Sequence, residues 1–221
     1  MHRRAYLGSL SGGVAALTAG CLGTSGTAET YLAEPDREYD SSAVQYPAYG
    51  QQLPEATIAD PIAGEAIETT GGNGDQLLTF FYSHCQTVCP RLISALRGVQ
   101  AKAIETGMVD NVRFRAVTFD PDRDDAERLR QYAKRMDVSL SENWRFLRPD
   151  TPDDAKSIVE DTFGVGFERT HPEDMAQYMF THFALILLVN ADDYVERAYT
   201  GKAPQWQPIY EDLQTLRNRE G

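Results

Sequence analysis

Basic residues are scarce in this chain. Its 21 Lys and Arg stand against 33 Asp and Glu, a formal charge of −12. Nucleic acid is bound chiefly through Lys and Arg on its phosphates, so that class of partner is excluded. Such an acidic balance suits concentrated salt, and a halophilic source is expected. Cysteine is scarce too: Cys21, Cys85 and Cys89 are too few for a disulfide scaffold. No apolar run is long enough to cross a bilayer, since the uncharged stretch over residues 5–20 falls short of the ~20 residues needed. There is no internal repeat and no sign of a second domain. With 42% apolar residues, one domain with an ordinary core is what the length supports.

The uncharged stretch follows Arg3-Arg4, and residues 1–20 read as a signal peptide. Arg-Arg-Ala-Tyr-Leu resembles a twin-arginine export signal. Thr18-Ala-Gly-Cys21 resembles a lipobox, with Thr18 in place of the usual Leu. Cleavage there would leave Cys21 as the lipid-bearing first residue and put the protein on the extracytoplasmic face of the membrane. Loss of Arg3 and Arg4 would leave 19 basic against 33 acidic residues. Residues 21–53 are poor in aliphatic side chains and rich in Ser, Thr, Ala, Glu, Asp and Tyr. They read as an acidic flexible tether with a docked segment at 44–49. The folded domain is expected over 54–221.

With Cys21 assigned to lipid, Cys85 and Cys89 are the only thiols of the folded part. They sit at a particular junction. Residues 77–82 form a short apolar run that reads as a strand buried on both faces. Cys85 and Cys89 follow, with three residues between them, and Pro90 suits the first turn of a helix. Leu92, Ile93, Leu96 and Val99 then recur at helical spacing. Unpaired N–H groups and the dipole at a helix N-terminus favour thiolate over thiol. In such settings a cysteine pKa falls from about 8.5 to roughly 3.5–7.5. Thiolate is the form that binds metal or attacks a disulfide. A loop this short gains little entropy from a disulfide, so chemistry explains the pair better than stapling.

Along the rest of the chain, 56–60 and 65–70 predict a hairpin around residues 61–64. Gly71-Gly-Asn-Gly74 is a turn; it lies before the central strand, where a nucleotide-binding phosphate loop does not occur. Residues 112–119 read as a strand, 126–136 as an amphipathic helix and 144–147 as a short strand. Thr151 caps a helix that opens with Pro152 and runs to about 161. Residues 163–168 predict another strand, 169–180 a polar loop, and 182–189 a strong strand. Residues 194–199 are its hairpin partner, and 204–217 close the chain as a helix. The order is βαβαβα, then a hairpin and a helix. That is the layout of a thioredoxin-like three-layer α/β sandwich with a mixed central sheet. Ligands gather at the carboxyl ends of strands in such sheets, where Cys85 and Asp120 lie.

Three segments carry a resemblance: Phe-Tyr-Ser-His-Cys-Gln-Thr-Val-Cys-Pro, Thr-Phe-Asp-Pro-Asp-Arg-Asp and Thr-His-Phe-Ala-Leu-Ile-Leu-Leu-Val-Asn. In this order and separation they resemble the Sco/SenC family over residues 62–216. These are membrane-tethered, thioredoxin-like copper proteins that assist assembly of the binuclear copper site in subunit II of cytochrome c oxidase. The resemblance implies that Cys85, Cys89 and His182 are copper ligands, as Cu⁺ or Cu²⁺, and that Asp120 stands behind them. It implies cytochrome c oxidase subunit II as the partner and a metallochaperone rather than a turnover enzyme. Two thiolates and an imidazole suit copper, Cu(I) above all. Gln86-Thr-Val88 and Thr181 depart from the family's usual residues, which bears on the groups that orient His182. His84 reads as an electrostatic neighbour of Cys85, and His171, Met175 and Met179 as part of a loop facing a partner.

Two other readings use the same residues. A thiol–disulfide oxidoreductase acting on oxidase cysteines would use Cys85 and Cys89 as a redox pair without metal. Enzymes of this fold ordinarily carry Cys-x-x-Cys, and here one more residue intervenes. A peroxidase is disfavoured because no Pro-x-x-x-Thr-x-x-Cys segment is present. Zinc matches the donor types, but an open exported dithiol site more often suggests copper.

Overall fold

A strand as uniformly apolar as 77–82 must be covered on both faces. The computed structural model describes residues 30–220 apart from 142, 174 and 203, and places this strand at the centre of a five-stranded sheet. The signal peptide, the lipobox and Cys21 lie outside the described residues. A hairpin of β1 (Thr57–Asp60) and β2 (Glu65–Glu68) comes first. Then follow β3 (Asp75–Phe81), α1 (Cys89–Glu105), β4 (Val112–Thr118), α2 (Ala126–Arg135) and β5 (Trp144–Leu147). Helix α3 (Pro152–Ala155) runs on as a π-helical turn over Lys156–Thr162. A two-stranded ribbon of β6 (Phe167–Thr170) and β7 (Met179–His182) precedes β8 (Leu185–Val189), β9 (Val195–Thr200) and α4 (Trp206–Glu220).

The sheet order is β5-β4-β3-β8-β9, parallel across the first three and antiparallel across the rest. Every residue of β3, β4 and β8 is buried. Adjacent residues of a strand face opposite ways. Phe80 accordingly meets Phe163 beyond the π turn, ring centroids 5.3 Å apart, and Phe81 meets Tyr132 of α2 at 5.4 Å. Helical segments therefore cover both faces, giving the expected three-layer α/β sandwich. α1 packs along α4: a Cβ on Gly98 would come 2.6 Å from Trp206 Cγ, so only glycine lets the two helices approach. Thr151 opens α3 with a capping box closed by Asp154.

Two stretches depart from expectation. Residues 182–189 form two strands rather than one. The five residues of β8 are apolar and buried, whereas Thr181 and His182 are polar and at least partly exposed. The chain therefore leaves the sheet around Phe183 and Ala184, and β7 pairs with β6, with His182 opposite Phe167. The expected strand at 163–168 begins later, and much of the expected loop at 169–180 belongs to this ribbon. The second departure concerns the tether. From Thr30 onward the segment packs on the domain, with Leu32, Ala48 and Leu53 buried. The N–H groups of Tyr31 and Leu32 donate to the two carboxylate oxygens of buried Glu196 at 2.8 and 2.9 Å. Tyr46 stacks on Phe183 at 5.2 Å, beside the residue that ends β7. The docked segment expected at 44–49 is thus present, with Tyr46 and Ala48 buried; composition missed the rest because its docking uses backbone N–H groups and scattered single side chains.

Glu196 also accepts from Asn190 Nδ2 at 2.7 Å, so three donors depend on one buried carboxylate. Glu196→Ala is expected to destabilise the fold by about 2–3 kcal/mol in denaturant melts. It should also open residues 30–53 to protease before the sheet unfolds. An unchanged cleavage pattern would contradict this role.

Candidate metal centre

β3 delivers the chain to a tight turn, in which Cys85 N–H donates to the Tyr82 carbonyl at 3.3 Å. A buried carboxylate holds this turn. Asp124 accepts from Ser83 N–H at 3.0 Å, from Ser83 Oγ at 2.5 Å and from Thr118 Oγ1 at 2.5 Å. From α2, Arg128 donates to Ser83 Oγ at 2.6 Å and to the Ser83 carbonyl at 2.9 Å, and Arg135 donates to that carbonyl at 3.1 Å. The ends of β3 and β4 and one face of α2 thus grip the segment that carries Cys85.

Helix α1 starts at Cys89 with Pro90 in its first turn. Val88 precedes it and offers no side-chain acceptor. The sulfur of Cys85 fills that role, accepting from Cys89 N–H at 3.4 Å. The two cysteines are buried and not bonded to each other. Cys89 Sγ lies 3.2 Å from His182 Nε2. On the other side of the ring, His182 Nδ1–H donates to the Phe183 carbonyl at 3.2 Å. A carbonyl can only accept, so Nδ1 carries a proton and Nε2 is the nitrogen that faces the sulfurs. This backbone carbonyl orients His182, so Thr181 need not supply a side chain for the purpose. The rings of Phe119 and Tyr82 wall the imidazole at 5.1 and 6.2 Å.

Donor atoms of Cys85, Cys89 and His182 all lie within 4.8 Å of one another. Three ligands at about 2.0–2.3 Å from one ion stand roughly 3.5–4 Å apart, so a small contraction would close this set on a metal. Two sulfurs and an imidazole form a soft donor set that fits copper. The thiols are strongly unequal. Cys85 is held far below the ordinary thiol range, to about 2, first by the hydrogen bond from Cys89; burial opposes this, while His182 and the N–H groups of Thr87 and Cys89 assist it. Cys89 is pushed up, first by burial and then by its bond to Cys85 and that residue's charge. The pair shares one proton, kept on Cys89.

Asp120 is fully buried and makes no hydrogen bond to the three donors. It accepts from Arg123 Nε at 2.6 Å and from Tyr178 Oη at 2.7 Å, and Arg123 also donates to the Tyr178 carbonyl at 2.9 Å. Tyr178 immediately precedes β7, so Asp120 anchors the strand that ends in His182. Capping of α2 falls to Asp125, which accepts from Arg128 N–H at 2.7 Å. The acidic run 120–125 hid Asp124, since nothing in its spacing separates a buried carboxylate from exposed ones. His84 turns Nδ1 toward Ser83 Oγ and Asp124, at 3.3 and 3.7 Å, and lies outside the three-donor set. A cleft of about 620 Å³ opens beside Cys85. Met175 and Met179 line it with His84, and so does Met136, which sequence reasoning overlooked.

Because Cys85 is the anionic member, the ultraviolet thiolate absorbance of the reduced protein should show one thiolate per chain at about pH 6, where an ordinary thiol of pKa about 8.5 is protonated. Cys85→Ser should abolish that band. Absorbance that develops only above about pH 8 would contradict the assignment.

The curated SCO1 protein homolog of Bacillus subtilis (strain 168) is 24% identical over 127 residues, spanning 57% of this chain and 61% of that relative. Among solved structures, a SCO1/SenC family lipoprotein from Bacillus anthracis str. Ames superposes with a TM-score of 0.61 at 22% identity, covering 75% of this chain and 95% of that one. Bradyrhizobium japonicum ScoI with copper bound gives 0.59 at 21% identity, covering 74% and 99%. BsSco, described as a Sco-family cytochrome c oxidase assembly protein with a disulfide switch, gives 0.58 at 20%, covering 80% and 98%. Likeness at these identities speaks for the fold, which is thioredoxin-like. A family model described as SCO1/SenC matches residues 63–218, a span that takes in both cysteines and His182. With well over half of its length matched, this chain belongs to the SCO1/SenC family.

Proposed function

We propose that this protein is a copper-carrying assembly factor that delivers its metal to the binuclear copper site of cytochrome c oxidase subunit II. The observation that carries the reading is the gathering of two cysteine sulfurs and His182 Nε2 within 4.8 Å. Copper is the cargo, and Cys85, Cys89 and His182 would hold it. Three protein donors leave a position for an incoming ligand, which a delivery site needs and a closed structural site lacks. Cys85 opens on the methionine-bearing cleft, and that face is the one a partner would approach. The copper-bound Bradyrhizobium structure and the description of BsSco support the choice of metal and pathway. Residues 1–20 as signal peptide and a lipid on Cys21 would hold the domain at the extracytoplasmic membrane face. The lipoprotein from Bacillus anthracis supports that placement. No helix among the described residues is long and apolar enough to cross a membrane. The acidic balance suits work in high salt.

The inequality of the two thiols favours a second reading, in which the dithiol itself reacts. Cys85 thiolate would attack a partner disulfide to form a mixed disulfide. Cys89, losing its proton, would then displace the partner, leaving a Cys85–Cys89 disulfide here and a dithiol there. Both roles are compatible with one site, since oxidation removes the two thiolates a metal needs.

Anaerobic copper titration of the reduced protein against a competing chelator separates the two. We expect about one copper per chain. His182→Ala, Cys85→Ser and Cys89→Ser should each lose more than the roughly 10–100-fold in affinity that an outer-shell change costs. Copper binding that ignores all three substitutions would refute the carrier reading. Disulfide reduction that survives His182→Ala while copper is lost would favour the second.

A further inference from the structure

At the end of the sheet opposite Cys85, where β3 and β4 begin, a pocket of about 870 Å³ is lined by Arg113 and Arg115. Arg113 and Arg115 are only 8% and 7% exposed. Burying a charge is costly unless it is paired. Arg115 has no carboxylate within 4.0 Å among the described residues; its Nη1 donates only to the carbonyls of Phe114 and Asn143, at 3.2 and 3.3 Å. Arg113 donates to the Gly74 carbonyl at 3.1 Å and reaches Asp193 only at 3.8 Å. The Nε groups of both have no partner. Nearby Asp60 and Glu65 are engaged by Arg145, at 3.6 and 3.0 Å, and Arg145 adds a further positive charge. Burial, then the charges of Arg113 and Arg145, draw Arg115 down to about 10, which still leaves it charged at neutral pH.

The Gly71-Gly-Asn-Gly74 turn forms another wall. Gly72 lies so close to Arg113 that a Cβ there would come 2.1 Å from Nη1. Ser141 and Asn143 bring polar side chains from the loop before β5, and the one carboxylate lining the pocket, Asp110, is exposed. Arg113 is offset by Asp193 and by the charge of buried Asp75. Arg115 feels Asp60 and Glu65 only at a distance, so it is the cation of this pocket without a close carboxylate partner.

We infer that this pocket, built by Arg113, Arg115, Gly72, Asn73, Ser141 and Asn143, binds a small oxyanion of the phosphate class. A phosphate would supply the counter-charge that Arg115 lacks at close range, and a guanidinium edge is the donor geometry an oxyanion takes. The pocket has room for a monoester as well as for the free ion. It stands at the other end of the sheet from the cysteines and does not depend on copper.

The test uses the purified full-length, copper-free chain at constant ionic strength, with inorganic phosphate and glycerol phosphate as probes and chloride as control. At phosphate about 100-fold above its dissociation constant, the melting midpoint should rise by about 5–10 °C. Phosphorus NMR should show line broadening that sulfate displaces and chloride does not. Arg115→Gln and Arg113→Gln should each remove both responses, while Lys156→Gln on the π turn leaves them unchanged. The NMR readout on the unmodified protein stands even if a variant fails to fold. Tighter binding of glycerol phosphate would assign the site to a phosphate headgroup, and tighter binding of inorganic phosphate to the free ion; either supports the inference. No response beyond that of chloride, or one that persists in both arginine variants, overturns it.

Discussion

Helix α1 begins without an oxygen to receive its first N–H, and a sulfur takes the place of one. A neutral thiol is a poor acceptor; a thiolate is a good one, and the positive end of the helix favours it. Cys85 is therefore at once a helix cap and a charged donor. That charge is nearly buried, so it survives only because the Cys89 thiol and neighbouring N–H groups are directed at it. The turn that presents it cannot relax, because Asp124, Arg128 and Arg135 fasten Ser83 from three sides. The sulfur pair thus forms a rigid wall, built where a buried strand meets a helix.

The imidazole belongs to a softer wall. β7 lies outside the central sheet and pairs only with β6. Its start is fixed by the Asp120–Arg123–Tyr178 network and its end by the Tyr46–Phe183 stack. Burying Asp120 raises its pKa, and the bonds from Tyr178 and Arg123 work against that penalty. Opening such a ribbon exposes less apolar surface than opening the wholly buried β3 or β8, so release of His182 is expected to cost less than opening the sheet. A carrier must hold metal firmly and still surrender it. In the proposed carrier role, one fixed pair of sulfurs and one imidazole on a separate two-stranded ribbon would meet both needs.

Much of this was legible in the sequence. The run at 77–82 announced a central strand, Pro90 marked the helix start, and the thiols stood where strand ends and helix begins. Thr151 read correctly as a cap before Pro152, though not its partner Asp154. What stayed hidden was set by burial and by distant pairing. Asp124 could not be told from its acidic neighbours, because only tertiary contact decides which carboxylate goes inside. His182 looked like the first residue of a strong strand; its polarity beside a wholly buried β8 is what put it on a separate ribbon. The docked segment at 44–49 was legible, but the docking around Tyr31 and Leu32 left no periodic signal, since Glu196 takes their backbone N–H groups. Arg113 and Arg115 read as ordinary alternation along β4, and the glycine turn read as a mere connection. Their meeting at one pocket appears only in the fold.

X-ray absorption at the copper edge of the copper-loaded, reduced protein addresses the central claim most directly. Two sulfur scatterers and one imidazole nitrogen at about 2.0–2.3 Å are the predicted shell, and His182→Ala should remove the nitrogen while both sulfurs remain. A shell without cysteine sulfur, or an imidazole signal unchanged by that substitution, would contradict the account.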